Sequence, residues 1–395
     1  MSTVDPGARQ LSDYRKMEAS VTISETTEFE GDRELLTLNL GPHHPATHGV
    51  LRLLVTLDGE VIRRLQPIYG YLHTGIEKTA EQKSYWKAIP VVERMDYVSY
   101  YFNAMAYCGA VEALLEVEIP KRAQYLRVIH MELNRIMSHL VFLGTSALDL
   151  GAISVWWYCF RERETLLDLF EMSSGQRMHT RYFQIGGVIE DIPEGWIEQV
   201  RKFCAIMPER ADIYGDLLNK NEIFLQRQRD VCPLPAETLR EHGVTGPLLR
   251  AAGDPWDLRK AMPYSSYEDF DFQIPVGTKG DNYDRYQVRL AEVKESIKII
   301  VQALDNLPDG PTITEDRKIA LPPRHELATS MEALIHHFKL YTEGFHVPKG
   351  EVYAAVEAPK GEFGVYLVAD GSNKPYRAKI RAPGYLHLQA MDYIC

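Results

Sequence analysis

Two kinds of hydrophobic pattern divide the chain into a strand-rich start, a helical middle and a strand-rich end. Short runs rich in Leu, Val and Thr predict strands at residues 34–40, 50–57 and 61–65, with a hairpin turn at Asp58 and Gly59. Longer apolar or amphipathic stretches predict helices at 74–87, 92–117, 120 to beyond 139, 156–174, 193–219, 285–307 and 325–341. Strands are predicted again at 351–357, 363–370 and 376–381. Sheet, helical bundle and sheet in this order indicate an α+β fold.

These patterns predict four segments. Residues 1–34 are polar and are interpreted as a tail, and residues 35–73 as an antiparallel sheet that carries a histidine-rich loop. Residues 74–320 form a central helical bundle, with Thr74 as the cap of its first helix, and residues 321–395 form a C-terminal α+β segment.

The stretch 141–160 is apolar enough to raise the question of a membrane span. Asp149 lies at its centre, and a lone carboxylate at bilayer depth is costly. A buried pair of helices with a break near Gly151 is therefore predicted instead.

Charge and cysteine content narrow the class of protein. The chain of 395 residues has a formal net charge of −11 and no block of Lys or Arg, which argues against nucleic acid as a partner. Residues 1–32 lack the apolar core of a secretory signal. The five cysteines are scattered without a Cys-x-x-Cys pair, as expected of buried thiols in a reducing compartment.

The loop at residues 41–49, Gly-Pro-His-His-Pro-Ala-Thr-His-Gly, carries the strongest candidate chemistry. Prolines stiffen it, and a glycine lies at each end. The histidines can be polar fillers of a turn, metal ligands or proton donors. Pro45 argues against a helical metal pair of His44 and His48, and no Cys, Asp or Glu follows at metal-site spacing. Proton chemistry is the favoured interpretation, because imidazole exchanges protons near neutral pH.

Nine stretches carry a resemblance to a known family. They are GPHHPATHGVLR (41–52), YLHTGIEK (71–78), ERMDYVS (93–99), ALDLGA (147–152), SGQRMHTRY (174–182), LRKAMPY (258–264), GDNYDRY (280–286), SMEALIHHFKLYTEG (330–344) and EAPKGEFGVYLVADG (357–371). In sequence and order they resemble the D-type or 49 kDa subunit of the bacterial proton-pumping NADH-quinone oxidoreductase, respiratory complex I. Family members continue past the position of Cys395, so the sequence is expected to lack a C-terminal segment. Thr74 stands where some relatives have arginine.

The family is in turn related to the large subunits of [NiFe] hydrogenases, which implies a hydrogenase-like fold. A hydrogenase would carry Arg-x-Cys-Gly-x-Cys where this chain has residues 94–99, Arg-Met-Asp-Tyr-Val-Ser. Carboxylate and hydroxyl groups do not replace thiolates toward a soft metal pair. No metal site is therefore expected, and the family resemblance implies a quinone-binding pocket instead.

The resemblance also implies the roles of five residues. Tyr97 resembles the tyrosine that donates a hydrogen bond to a quinone carbonyl, and His48 resembles the histidine that reaches the same head group, with His44 as a second contributor. Asp149 matches the acidic partner of that histidine, which favours its protonated form. His179 resembles the histidine beside the terminal iron-sulfur cluster, which a neighbouring chain of the complex holds. Taken alone, Tyr97 is better interpreted as a buried aromatic residue and Asp149 as a helix cap, and His179 is also compatible with a core histidine bonded to a backbone carbonyl.

The function implied is that of a quinone-site subunit with no cofactor of its own. The implied partners are the peripheral-arm subunits lettered B, C and I and the membrane-arm subunits lettered H and A, with no nucleic acid. The first of these carries the 4Fe-4S cluster that supplies electrons, NADH is oxidised elsewhere in the complex, and quinone is the substrate. The implied location is peripheral, on the cytoplasmic side of a bacterial plasma membrane, and the chain alone is expected to be inactive. The alternatives are a non-catalytic scaffold subunit and a metal-dependent hydrogenase-like enzyme.

Overall fold

The computed structural model describes residues 26–30 and 33–394, which fall into two compact units. The described residues up to Thr74 and those from Leu388 onward form one unit, and Gly75–His387 form the other. The first unit is mainly an antiparallel sheet, and the second is mainly helical with smaller antiparallel sheets, so the α+β prediction is confirmed.

The first unit is built on a four-stranded antiparallel sheet. Its strands follow chain order: β1 (Thr26–Glu30), β2 (Arg33–Leu40), β3 (Arg52–Asp58) and β4 (Val61–Ile68). Leu38 of β2 lies opposite Val55, which lies opposite the buried Leu65 of β4. The predicted hairpin is confirmed, but its turn residues are Gly59 and Glu60 rather than Asp58 and Gly59, and Gly59 has a positive φ of 62°.

Strand β1 corrects the interpretation of residues 1–34 as a tail. Thr26–Glu30 pairs with β2 along its whole length, so this part of the segment belongs to the sheet. A short helix near the chain end, Met391–Ile394, also belongs to this unit, and Asp392 Oδ1 accepts a hydrogen bond of 2.7 Å from the backbone N–H of Leu65. Residues 1–25, 31, 32 and Cys395 lie outside the described residues.

The second unit is a helical bundle with two smaller sheets. Its longer helices are α1 (Ile76–Gln82), α2 (Tyr85–Val92), α3 (Tyr100–Leu115), α4 (Lys121–Asp149), α5 (Ile153–Ser174) and, after the short strands β5 (Phe183–Gln184) and β6 (Gly187–Val188), α6 (Trp196–Asn219). Four short helices follow: α7 (Glu222–Gln226), α8 (Ala236–Glu241), α9 (Pro247–Ala251) and α10 (Leu258–Ala261). The chain then forms α11 (Asn282–Asp305), α12 (Met331–Thr342), β7 (Gly350–Ala358), β8 (Gly361–Ala369), β9 (Arg377–Arg381) and α13 (Pro383–Gln389).

The helices of the bundle pack around the buried helix α3. Helix α3 is apolar on nearly all faces and is enclosed by α4 and by strands β7 and β8, while α4 packs between α5 and α11. The inward residues of β8, Phe363, Val365 and Leu367, complete the core. The predicted break near Gly151 is confirmed, because α4 ends at Asp149 and α5 begins at Ile153. In the described part of the chain, no helix is both long and apolar enough to cross a bilayer.

Three helix predictions differ from the structure by more than three residues. The helix predicted at 325–341 begins only at Met331, after a separate 3₁₀ helix at Arg324–Ala328. The helix predicted at 74–87 is two helices, and its first turn is preceded by Gly75 in a left-handed conformation rather than capped by Thr74. The helix predicted at 92–117 begins only at Tyr100, because residues 93–99 form a turn that buried asparagine side chains hold.

A chain of buried charges crosses the core of the second unit. The Arg250 guanidinium donates hydrogen bonds to Glu292 at 2.9 Å and to Glu357 at 2.7 Å, and it is fully buried. His139 Nε2 lies 2.7 Å from Glu292, and burial lowers the pKa of His139 to about 4 although Glu292 opposes the shift. The neutral imidazole therefore donates to the carboxylate. The remaining members are Arg135, Arg259, Glu132 and Asp257.

Candidate functional site

The predicted histidine loop lies in the first unit and is shaped by Gly41. This glycine has φ 85°, and a Cβ there would lie 2.1 Å from the carbonyl oxygen of Leu51, so no other residue fits. The centre of the loop is a single 3₁₀ turn, Pro45–Thr47. The buried hydroxyl of Thr47 lies 3.0 Å from the carbonyl oxygen of Pro42 and 2.9 Å from that of His44, and it donates to this pair of acceptors. The loop is thus fixed by its own backbone and by Thr47.

The histidine side chains of this loop face outward. His43, His44 and His48 are all exposed, and His48 has a left-handed φ of 55°. Thr47 rather than a histidine fills the interior of the loop. The sequence did not single out Thr47, whose hydroxyl could have been recognised as the polar group best able to bridge such a turn.

Tyr97 lies in the second unit, on the turn between α2 and α3. Its side chain is 51% exposed, whereas the turn beneath it is fixed by buried amides. Asn103 Nδ2 donates to the carbonyl oxygens of Glu93 at 3.3 Å and Asp96 at 3.1 Å, and Asn134 Nδ2 donates to that of Val98 at 3.2 Å. The Tyr97 phenol is therefore exposed on a turn that these hydrogen bonds hold in place.

A lysine from another part of the fold reinforces the same turn. Lys360, in the connection between β7 and β8, places Nζ 2.8 Å from both carboxylate oxygens of Asp96, the residue before Tyr97. This pair is half-exposed, so its contribution to stability is small. It does tie the Tyr97 turn to the C-terminal sheet.

His179 lies beside the start of α3, in the same region as the Tyr97 turn. Its ring is tilted against that of Tyr100 at a centroid distance of 5.6 Å, and its backbone has φ 54°. Burial, followed by the positive charge of Arg94, lowers the pKa of His179. Its Nδ1 is buried and has no hydrogen-bond partner among the described residues. The neutral imidazole is therefore favoured in this chain.

Asp149 is the last residue of α4 and is exposed. Of the candidates in the second unit, Tyr97 lies on the turn that leads into Tyr100, and His179 contacts the Tyr100 ring, while Asp149 lies at the end of a different helix. His44 and His48 belong to the first unit. The roles assigned to these five residues stay predictions.

Glu93 is a chemically notable residue that the sequence analysis did not single out. Its side chain is fully buried, and both carboxylate oxygens accept from the backbone N–H of Arg181, at 3.0 and 3.1 Å. No Lys, Arg or His nitrogen of the described residues forms an ion pair with it. Burial raises the pKa of Glu93 to about 7, although the Arg181 N–H and the charges of Arg94 and Arg181 oppose the shift. Glu93 can therefore hold a proton near neutral pH.

Sequence patterns offered only a weak signal for Glu93. It lies four residues before Tyr97 in the ERMDYVS stretch, but an acidic residue next to Arg94 is more typical of an exposed pair. Only the tertiary structure shows that the carboxylate faces the core while the neighbouring guanidinium does not neutralise it.

The cysteines and acidic residues do not assemble into a metal centre in the described part of the chain, where no group of three or more His, Cys, Asp or Glu side chains is arranged for one. Cys108, Cys159 and Cys204 are buried as predicted, and Cys232 is half-buried. Burial raises the pKa of the Cys159 and Cys204 thiols to about 12, so they stay protonated.

Comparisons with known proteins agree on one family. Residues 149–395 match the family described as the 49 Kd subunit of respiratory-chain NADH dehydrogenase. The chain is 53% identical to a D-type subunit of NADH-quinone oxidoreductase from Chloroflexus aurantiacus over 367 residues, covering 92% of this chain and 89% of the relative. It is 52% identical to the D-type subunit of a Wolbachia from Brugia malayi, covering 92% and 93%, and 54% identical to that of Ehrlichia canis, covering 91% of each.

Identity above 50% over nine-tenths of both chains leaves no room for a chance match. The family model alone covers more than half of the chain, including the end of α4 and the whole of the C-terminal sheet. The chain therefore belongs to the family of the 49 kDa subunit of respiratory-chain NADH dehydrogenase, the D-type subunit of complex I.

Proposed function

We propose that this complex I subunit helps to form the site at which quinone is reduced to quinol, coupled to proton translocation. The observation that supports the proposal best is the half-exposed Tyr97, held outward on a turn that buried Asn103 and Asn134 fix. A buried structural tyrosine would not need such a support. A hydrogen-bond donor that must meet a mobile substrate at a set position does need a turn that is fixed in this way.

The chemistry required suits the candidate residues. Reduction of quinone to quinol adds two electrons and two protons, and the charge that develops on each oxygen needs a positioned donor. Tyr97 supplies a phenol O–H, and His48, with His44 nearby in the same loop, supplies an imidazole N–H. Asp149 keeps its implied role as the acidic partner that favours the protonated form of His48.

Electrons are proposed to arrive from a 4Fe-4S cluster that a neighbouring chain holds near His179, while NADH is oxidised elsewhere in the complex. The proposed neighbours are the peripheral-arm subunits lettered B, C and I, the first of which carries the cluster, and the membrane-arm subunits lettered H and A. The proposed location is the cytoplasmic side of the membrane. On its own the chain is expected to catalyse nothing, because the electrons are proposed to come from a cluster that another chain holds.

Replacing Tyr97 by phenylalanine tests this function. The change removes one hydroxyl and leaves the ring, so the complex should assemble normally while quinone reductase activity falls about tenfold to a hundredfold, as for a lost donor to developing charge. NADH oxidation with a water-soluble artificial acceptor should be unchanged.

The matched control is Tyr376→Phe, since Tyr376 is also exposed, at 69%, and lies outside the candidate site. It should leave the quinone reductase activity at the wild-type level. If Tyr97→Phe does the same in a fully assembled complex, the chain is a scaffold and the proposed function is wrong.

A further inference from the structure

Helix α12 exposes an apolar face that the described residues do not cover. Five large side chains lie on this face at the spacing of one helical stripe: Met331, Leu334, Ile335, Phe338 and Tyr341, exposed by 72, 48, 53, 64 and 49%. Its opposite side carries the buried Ala333 and Leu340. A contiguous apolar stripe of this length is unusual on a surface that stays in contact with water.

A cavity of about 810 Å³ adjoins the stripe within the second unit. Tyr341 belongs to both, and its ring meets that of Trp86 edge to face at 5.3 Å. Apolar side chains such as Ile185, Ile319 and Phe345 form much of the wall. The stripe and the cavity together are called the α12 surface below.

The cavity lining carries net positive charge, because Arg181, Arg317 and Arg324 outnumber the single carboxylate of Glu190. Arg181 and Arg324 line it, and neither forms an ion pair with a carboxylate of the described residues. The Arg181 guanidinium lies 4.7 Å from the centre of the Trp86 ring, and its Nε is buried without a hydrogen-bond partner among those residues. A third cation, Arg317, is already paired with Glu326. Two guanidinium groups beside apolar walls are thus left to bind an external carboxylate.

We propose that the α12 surface binds another protein subunit of complex I through a segment with apolar side chains and at least one carboxylate. The apolar residues of that segment cover the stripe, and its carboxylate meets Arg181 and Arg324 in the cavity. The inference rests on membership of a multisubunit complex and on this charge pattern. It does not depend on the role of Tyr97.

Other occupants fit the surface less well. An anionic lipid surface would be repelled by Glu332 in the first turn of the helix and by the net charge of −11. A second copy related by a twofold axis would place the same cations near one another. A small apolar anion would fill the cavity and leave Met331, Leu334 and Phe338 uncovered. A protein segment can cover the stripe and also place a carboxylate in the cavity.

Photo-crosslinking in the assembled complex tests the identity of the partner. A photoreactive amino acid at position 338, with the rest of the chain unchanged, should crosslink to one other subunit of the complex, at a segment that contains Asp or Glu. Crosslinking to lipid, to a second copy of this chain or to nothing in the intact complex would overturn the proposal.

Substitutions test the two components of the surface. Phe338→Asp places a charge in the contact and should reduce the amount of the chain recovered in the complex about tenfold or more. Arg324→Gln should make assembly weaker and less sensitive to salt, because one charge-assisted contact is lost. Circular dichroism and thermal unfolding of the isolated variants should match the wild type, since both side chains are exposed.

Ile223→Asp is the matched control, because Ile223 is 66% exposed on the short helix α7. It should assemble normally. An equal loss in Phe338→Asp and Ile223→Asp, or no loss in a folded Phe338→Asp variant, would contradict the assignment of this surface.

Discussion

Replacing Arg250 by alanine is expected to lower the free energy of unfolding by about 3 to 5 kcal/mol, as for other buried ion pairs that lose one partner. The Arg250 side chain is fully buried and bonds to both Glu292 and Glu357, which are themselves fully buried. Without the guanidinium, both carboxylates stay in the core, and no other cation among the described residues contacts them in the same way. The destabilisation comes from their desolvation as much as from the lost hydrogen bonds.

Urea unfolding of the purified chain, followed by circular dichroism at neutral pH, measures this effect. The control is Lys220→Ala, which breaks an ion pair between two side chains that are 74 and 70% exposed. That change should alter the free energy of unfolding by less than about 1 kcal/mol. A similar small value for Arg250→Ala would show that Glu292 and Glu357 do not depend on this cation.

Replacing Glu93 by glutamine is expected to stabilise the chain at alkaline pH and to have little effect at pH 4. The pKa of Glu93 is raised from 4.5 to about 7, so on raising the pH the unfolded chain releases this proton first. The free energy of unfolding therefore falls between these two values and stays lower above pH 7. At about 1.4 kcal/mol per pH unit, the difference amounts to roughly 3 kcal/mol. Glutamine keeps an oxygen for the Arg181 N–H and cannot ionise.

The measurement is a set of urea unfolding curves at pH 4, 6 and 8 for the wild type and Glu93→Gln. The stabilisation should be near zero at pH 4 and largest at pH 8. Glu198→Gln, at an exposed position on α6, is the control and should show no such trend. A constant difference at all three pH values would show that Glu93 has the same pKa in the folded and the unfolded chain.

The sequence predicted well those parts of the fold that depend on local patterns. Strands β2 to β4, helices α4 to α6, and the break after Asp149 follow from periodicity, glycines and a lone carboxylate. The errors fall where distant residues override local preference. Tyr100 starts α3 because Asn103 and Asn134 bind the preceding backbone, and this depends on an amide from another helix.

In the candidate site, too, the features set by local sequence could be predicted and those set by distant residues could not. The stiffness of the histidine loop could be predicted from Pro42, Pro45 and its glycines, but the bonding of Thr47 could not. Tyr97 and His179 were assigned as candidates through the family resemblance. Glu93 and the unpaired Arg181 could be recognised only from the tertiary structure, which shows the groups that the fold leaves without an ion-pair partner. The absence of an ion pair at Glu93 or Arg181 among the described residues is a property of the tertiary structure, and no spacing in the sequence encodes it.

The double hydrogen bond of Asn103 sets a limit on how the Tyr97 turn can move. One buried amide holds the carbonyls of both Glu93 and Asp96, so the backbone cannot open without leaving polar groups unsatisfied in the core. The Tyr97 ring can still rotate about its own side-chain torsions. The phenol oxygen can therefore occupy only the positions that these torsions allow around a fixed backbone.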